Sequence, residues 1–161
     1  MTEPPERSDD EPLHQLHHAY VKVLRISGGL LAAPLLAGAA ALEMALPTPR
    51  GLLLSVVAVV AILLILRVPS RRYKARGYHF SQDRLRVVSG LLFRSDTVVP
   101  FGRVQHIDVA QGPLERAYGL ATLTLHTAGT HNASVSLPGL LHADALAMRE
   151  RIRARVKRDT M

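Results

Sequence analysis

The sequence predicts an α+β membrane protein in which a two-helix transmembrane hairpin precedes an antiparallel β-sheet domain with a C-terminal capping helix. Three observations predict it: two apolar stretches without charge, a series of segments in which apolar residues alternate, and one final stretch with helical periodicity. At 161 residues, the chain has room for this hairpin and for one domain of modest size.

The two apolar stretches are residues 26–42 and 51–66, and neither carries a charge. A bilayer core about 30 Å thick takes about 20 mostly apolar residues per helix, which each stretch reaches when flanking residues are included. A buried soluble hairpin is the alternative, but the rest of the chain has too few large apolar residues to cover it. The predicted boundaries are a disordered acidic tail (1–13), a juxtamembrane segment with two spans (14–68, the spans at about 22–46 and 50–68) and a cytoplasmic domain (69–161).

Small residues recur at every fourth position of the first span and predict the face that packs on the second span, because close backbone approach stabilises helix pairs in lipid. These residues are Gly29, Ala33, Ala37 and Ala41. Glu43 is expected at the outer interface of the membrane. Before the span, residues 14–25 predict the edge of an interfacial helix, with Tyr20, Lys22 and Arg25 at the headgroup level.

The net charge of +7 is unevenly distributed: residues 1–25 carry −2 and residues 67–161 carry +9. Basic residues flank both ends of the hairpin, whereas its turn holds only Arg50. The positive-inside rule therefore predicts a multi-pass protein of the cell membrane with both termini in the cytoplasm. A basic domain beside a membrane favours anionic phospholipid as a partner. Nucleic acid is not predicted, because aromatic residues for base stacking are few.

Metal and cofactor chemistry have little support in the sequence. The chain has no cysteine, which excludes disulfides and thiolate ligands. His14, His17 and His18 share the spacing of a helix face, but no acidic residue or cysteine follows at a matching distance. We therefore predict no metal site and no cofactor.

Alternating segments follow Arg67 and predict about six or seven half-buried antiparallel strands. The segments are residues 84–88, 91–93, 98–99, 105–109, 122–126 and 132–137. Ser89 and Gly90 predict a tight hairpin turn, Pro100 either ends a strand or places it at a sheet edge, and residues 129–132 predict the turn between the last pair.

Pro138 and Gly139 predict the end of the sheet, and a helix is predicted from about residue 141 to residue 157. Its apolar residues form one stripe that suits an open end of the sheet: Leu141, Ala145, Met148, Ile152 and Val156. Its other faces carry arginines, which are typical either of a solvated face or of contact with anionic lipid or acidic protein.

Residues 103–129 (RVQHIDVAQGPLERAYGLATLTLHTAG) resemble the bacterial pleckstrin-homology-like family of YdbS-like membrane proteins, and the resemblance extends over residues 73–156. The matching positions are Pro100, Arg103, Gln105, Gln111, Gly112, Pro113, Arg116 and Gly119. The resemblance implies a strongly bent antiparallel sheet or barrel that a C-terminal helix closes. It also implies a second membrane protein with several such domains as a partner, and a role in envelope stress or antimicrobial-peptide resistance.

The physical chemistry of this motif predicts a mostly structural role. Pro113 can begin a short helical turn whose Leu114 and Tyr118 face the sheet, and Gly119 can end it. Arg116 is expected to form a structural ion pair, with ligand binding as the alternative.

The predicted function is a membrane-anchored, non-enzymatic binding or scaffold module that engages a membrane-protein partner or an anionic lipid surface, and homo-oligomers remain open. The candidate contact residues are Arg71, Arg72, Lys74, Arg84, Arg86, Arg149, Arg151 and Arg155. One alternative is a hydrolytic enzyme that uses His106, Asp108 and His126, although no phosphate loop or nucleophile elbow is present. The other alternative is a pore formed by oligomerised hairpins.

Overall fold

The computed structural model describes residues 12–46, 49, 51–91, 93–128 and 134–159. Two helices come first, α1 (Ala19–Ala45) and α2 (Leu52–Lys74). Both are long and apolar enough to cross a membrane, and only 11% and 6% of their most apolar windows are buried within the chain. A soluble hairpin would need its apolar side chains covered, so this exposure fits helices that face lipid.

The two helices pack along a face of α1 that the sequence analysis did not select. Ala32 and Ala39 are buried, and a Cβ on Gly28 would lie 3.4 Å from Ile65 Cγ1. The predicted packing stripe is therefore wrong, since its residues (Gly29, Ala33, Ala37 and Ala41) are exposed or have open space around them. The two stripes differ by one residue, about 100° around a helix, and small residues alone cannot choose between them.

Glu43 closes the hairpin. Its Oε2 accepts a hydrogen bond from the Leu54 backbone N–H at 3.2 Å, in the first turn of α2. The first N–H groups of a helix have no partner within the helix, and the helix dipole favours an anion there. Glu43 therefore has a structural role as a cap of the second helix.

Within the described residues, six strands form two three-stranded antiparallel sheets, each in sequential order. The first sheet holds β1 (Gly77–Phe80), β2 (Arg84–Ser89) and β3 (Ser95–Pro100), and the second holds β4 (Val104–Ala110), β5 (Leu120–Thr127) and β6 (Ser134–Leu141). A short helical turn (Phe101–Arg103) joins the sheets, α3 (Pro113–Ala117) connects β4 to β5, and α4 (His142–Asp159) follows β6. The predicted fold class is confirmed.

The core follows the alternation that the sequence shows. Leu123 and Leu125 of β5 are fully buried, and Ala145 and Ile152 of α4 are fully buried as well. The predicted stripe of α4 is thus correct except at its first residue. Leu141 ends β6 and is exposed.

The predicted tight turn at Ser89 and Gly90 is wrong. β2 continues through Ser89, which pairs with Ser95, so that the chain reverses over residues 90–94. Gly90 has a φ of +134°, and a Cβ there would lie 1.8 Å from the Phe93 carbonyl oxygen, so only glycine fits. Leu91 and Phe93 are exposed in this turn and are not strand residues.

Pro138 and Gly139 do not end the sheet as predicted. They form a β-bulge inside β6, where the two residues stand opposite the single residue Thr122 of β5. Gly139 has a φ of +74°, a conformation that glycine adopts without steric cost. The predicted turn at residues 129–132 lies outside the described residues.

The segment before α1 belongs to the β domain. His14 exchanges both backbone hydrogen bonds with Tyr78 of β1, at 2.7 and 2.9 Å. Leu16 and Tyr20 are buried in the domain core, so the predicted interfacial helix edge with Tyr20 at the headgroup level is wrong. Long-range contacts with β1 and with Gly139 of β6 explain this burial, and local periodicity does not show them.

The helices join one end of the first sheet, which we call the membrane-proximal end. α2 continues through Pro69 to Lys74, six residues beyond the predicted span, and β1 begins at Gly77. The Tyr73 hydroxyl donates to the Leu16 carbonyl at 2.9 Å, and Arg76 Nη1 donates to the Tyr20 hydroxyl at 2.8 Å. By strand register, Ser89 and Ser95 lie at this end, whereas Phe80, Arg84 and Pro100 lie at the opposite, membrane-distal end.

The second sheet and α4 also have one end close to the membrane helices. A Cβ on Gly139, near the end of β6, would contact Tyr20 of α1. His142, the first residue of α4, donates its backbone N–H to the Gly119 carbonyl at 3.0 Å. The pKa of Tyr78 in β1 is raised above 10.0 by burial and, to a smaller extent, by Asp144 in the first turn of α4. α4 therefore starts at the membrane-proximal end and runs toward the distal end.

Candidate functional site

The predicted basic contact residues separate into distinct groups in the structure. Arg71, Arg72 and Lys74 are exposed on the last turns of α2, at the membrane-proximal end. Arg84 begins β2 at the distal end, where Nε lies 3.5 Å from Asp83 Oδ1. The predicted contact residues of α2 and Arg84 therefore occupy opposite ends of the domain.

Arg86 is not available for a lipid or a partner, and its prediction as a contact residue is wrong. Its side chain is 8% exposed, and its Nε donates to Asp96 Oδ1 at 2.9 Å. This hydrogen bond, with the nearby charges of Arg86 and Arg94, holds the pKa of Asp96 below its usual value of 3.8. A charge buried in this way requires its counter-ion, so the pair is structural.

The arginines of α4 form two rows on either side of its buried face. Arg151 and Arg155, four residues apart, line a cleft toward the first sheet. Arg149 and Arg153 line a second cleft beside β4, and Arg149 also pairs with Glu150 at 2.9 Å. Residues four apart project to the same side of a helix, so each row is a separate surface.

The cleft beside Arg151 and Arg155, which we call the distal cleft, has a volume of about 590 Å³. Its other lining residues are His79, Phe80, Ser81, Gln82, Phe101 and Ala154. Phe80 and Phe101 form its apolar floor, with ring centroids 5.5 Å apart. Guanidinium groups only donate hydrogen bonds and pair well with carboxylates. The distal cleft is thus suited to an acidic side chain beside an apolar one.

The predicted acid–base set does come together. His106 Nε2 lies 2.9 Å from Asp108 Oδ1, and His126 Nε2 lies 3.1 Å from Asp108 Oδ2. All three side chains are at least 43% exposed on the open face of the second sheet. Among the described side chains, neither imidazole is hydrogen-bonded to a hydroxyl, and no group of three His, Cys, Asp or Glu residues is arranged to hold a metal ion.

The motif residues around α3 hold the β4–β5 connection. Pro113 begins α3, and Gly119 follows it with a φ of +65°. Gln111 Nε2 donates to the Leu120 carbonyl at 2.6 Å. Glu115, which sequence reasoning did not single out, accepts from the Gly112 N–H at 2.9 Å and from Thr122 Oγ1 at 2.8 Å.

The remaining motif residues lie on the surface. Arg116 is exposed and forms no ion pair with another described residue, so the predicted ion pair is not found there. Pro100, Arg103 and Gln105 are exposed near the distal end. The Arg103 backbone carbonyl accepts from the Ala128 N–H at 3.2 Å, so that position has a backbone role.

Two apolar helices, two three-stranded antiparallel sheets and a C-terminal helix define a membrane protein with a pleckstrin-homology-like domain. The chain belongs to the Bacterial PH domain family, whose sequence model matches residues 29–156 and so includes most of the hairpin. The resemblance seen in residues 103–129 is thereby confirmed.

The chain is 34% identical over 92 residues to the UPF0699 transmembrane protein YdbS of Bacillus subtilis (strain 168). The aligned region covers 57% of this chain and 56% of that protein. The chain thus matches about half the length of this relative. A solved structure of a DUF1696 family protein with a pleckstrin-homology domain, from Shewanella loihica PV-4, covers 53% of this chain and 74% of its own at 18% identity, with a TM-score of 0.40.

Proposed function

We propose that this protein is a membrane-anchored, non-enzymatic binding module whose distal cleft binds an acidic surface of a protein partner. The observation that carries the proposal is the position of Arg151 and Arg155, which line a cleft with the β1–β2 turn at the end of the domain opposite the helices. The partner class that we propose is a second membrane protein with several pleckstrin-homology-like domains, as the family resemblance suggests.

Distance argues for a protein partner at this cleft rather than the protein's own membrane. β2 has six residues, so the two ends of the first sheet are separated by about 17–20 Å. The Debye length at physiological ionic strength is about 8 Å. Attraction of Arg151 and Arg155 to the bilayer surface would be largely screened over that distance, whereas a docked protein carboxylate would not be.

Site-specific photo-crosslinking in native membranes tests the proposal. Ala154 lies in the distal cleft and Ala110, the last residue of β4, is exposed outside it, so they give a matched pair of positions for a photoreactive residue. We expect position 154, and not position 110, to crosslink one membrane protein that mass spectrometry identifies as carrying several pleckstrin-homology-like domains.

Charge reversal makes the test specific to one arginine row. The double variant Arg151→Glu with Arg155→Glu should abolish the crosslink. The double variant Arg149→Glu with Arg153→Glu changes net charge equally and should retain it. Loss of the crosslink in both double variants, or crosslinking only to lipid, would contradict binding at the distal cleft.

A further inference from the structure

The turn between β2 and β3 exposes apolar side chains at the membrane-proximal end of the domain. Phe93 is 87% exposed and Leu91 is 40% exposed, whereas Phe101 of the same domain is 1% exposed. Phe93 and Leu91 lie in the same turn and line the same cleft, and exposed apolar patches rimmed by polar residues mark protein or membrane contact sites.

The turn lies beside the last turns of α2, where the helix leaves the bilayer. Leu91 and Phe93 line one cleft together with Arg72. Arg72 is five residues beyond Arg67, the first charge after the apolar stretch, so it stands about 7.5 Å further along the helix axis. The headgroup layer on each side of a bilayer is about 5–8 Å thick. The turn is therefore at the level of the lipid headgroups.

Cationic side chains surround the apolar tip. Lys74 and Arg94 line a cleft with Leu91 on the other flank of the turn, and both are exposed. In a membrane surface the phosphates lie outside the acyl chains, so cations beside an apolar tip can contact the phosphates while the apolar side chains reach the acyl chains. The composition of the turn thus matches an anionic bilayer.

A second group of exposed side chains of interfacial type lies beside α1. α3 packs beside α1, and its end exposes Arg116 and Tyr118 at the same end of the domain. Tyrosine and arginine are typical residues of the membrane–water interface. Side chains typical of the membrane–water interface thus lie beside α1 as well as beside α2.

We propose that Phe93 and Leu91 insert into the headgroup–acyl boundary of the same membrane that α1 and α2 cross, while Arg72, Lys74 and Arg94 contact anionic lipid phosphates. This membrane contact lies at the opposite end of the domain from the distal cleft. It therefore stands whether or not the distal cleft binds a protein.

Single-tryptophan fluorescence of the full-length protein tests this insertion. The chain has no tryptophan, so Phe93→Trp creates a unique reporter at an exposed position where substitution does not disturb the core. Gln82→Trp, at the exposed β1–β2 turn of the distal end, is the matched control. Both variants are reconstituted into phosphatidylglycerol–phosphatidylcholine vesicles, with and without bromine on the acyl chains.

We expect the emission of the Phe93→Trp variant to shift to the blue and to lose intensity in brominated vesicles. Emission of the Gln82→Trp variant should be the same in both vesicles. Adding Arg72→Glu and Arg94→Glu to Phe93→Trp should reduce the quenching, because the cations would no longer hold the turn at the phosphates.

Two results would overturn the proposal. One is a Phe93→Trp emission that brominated lipid does not quench, including a blue-shifted one, since that would mean contact with protein instead of lipid. The other is equal quenching of both tryptophans, which would place the distal turn in the membrane as well.

Discussion

The ring of Tyr20 lies against the backbone of Gly139, so closely that a Cβ at residue 139 would stand 2.7 Å from Tyr20 Cγ. Three residues before the tyrosine, the His17 N–H donates to the Gly139 carbonyl at 2.9 Å. The start of the first membrane helix thus packs directly on the bulge in β6, which fixes its position on the sheet domain.

Gly139→Ala should therefore destabilise the protein strongly. The positive φ costs about 1–2 kcal/mol for a residue with a Cβ, and the clash with Tyr20 adds an overpacking cost of about 1–3 kcal/mol. Thermal unfolding in detergent, followed by circular dichroism, measures the effect.

Gly119→Ala is the matched control, because Gly119 has a φ of +65° and open space around its Cβ position. It should show only the cost of backbone strain. Equal destabilisation by the two substitutions would mean that the contact between Tyr20 and residue 139 contributes nothing.

Asp96→Ala should cost about 3 kcal/mol of unfolding free energy, because it leaves the buried Arg86 guanidinium without its carboxylate counter-ion. Asp83→Ala removes the carboxylate of the exposed pair with Arg84 and should cost less than about 1 kcal/mol. Chemical denaturation compares the two variants with the unchanged protein. Similar losses from both substitutions would contradict the assignment of Arg86 as buried.

The carboxylate of Asp96 also predicts that the stability of the protein depends on pH. The pKa of Asp96 is lower in the folded protein than its ordinary value of 3.8, so the folded state favours the ionised form. Its contribution to stability is complete above that ordinary value and is lost as the pH falls through the lower pKa of the folded protein. Below pH 4, Asp96→Asn should therefore show a shallower loss of thermal stability than the unchanged protein.

Glu43 should stabilise the hairpin as a cap of α2. Glu43→Ala removes the acceptor of the Leu54 N–H and should cost about 1 kcal/mol, as the loss of other helix caps does. Glu43→Gln keeps a carbonyl acceptor and should lose less. Thermal unfolding in detergent measures the stability of the two variants. Equal losses of stability would mean that the charge of Glu43, and not its hydrogen bond, stabilises α2.

Cysteine labelling tests the predicted membrane topology. The chain has no cysteine, so Met44→Cys, near the hairpin turn, and Gln82→Cys, in the sheet domain, each provide one thiol. A membrane-impermeant maleimide applied to intact cells should label residue 44 and leave residue 82 unlabelled until the cells are opened. The reverse pattern would place the domain outside the cytoplasm.

Local patterns were sufficient for most of the fold. The charge-free stretches of the hairpin, the alternation in β5 and the stripe of α4 each reflect burial of one face, which a short window of sequence records. Pro113 and Gly119 likewise mark the ends of α3 through their own backbone preferences. Each of these predictions depends on residues within a few positions of one another.

The predictions that were wrong all depend on contacts with residues distant in sequence or on a choice between two local arrangements that the sequence permits equally. Tyr20 is buried because His14 pairs with Tyr78 of β1 and the Tyr20 ring packs on Gly139 of β6, both contacts joining residues more than fifty positions apart. Arg86 looked like a surface cation because its counter-ion lies across a strand pair. The sequence also gave no reason to separate Arg72 from Arg151, and their positions at opposite ends of the domain depend on the sheet register.

The unbroken course of α2 through Pro69 into the domain determines how far the protein can reach. A domain on a flexible linker could take many orientations above the membrane. This domain is joined to α2 without a flexible linker, so it tilts and rotates together with that helix. Seven residues of helix after Arg67, the two residues 75–76 and four residues of β1 place the distal cleft no more than about 30 Å beyond Arg67. A partner must present its acidic surface at that height, and a rotation of the hairpin within the membrane would turn the cleft toward or away from it.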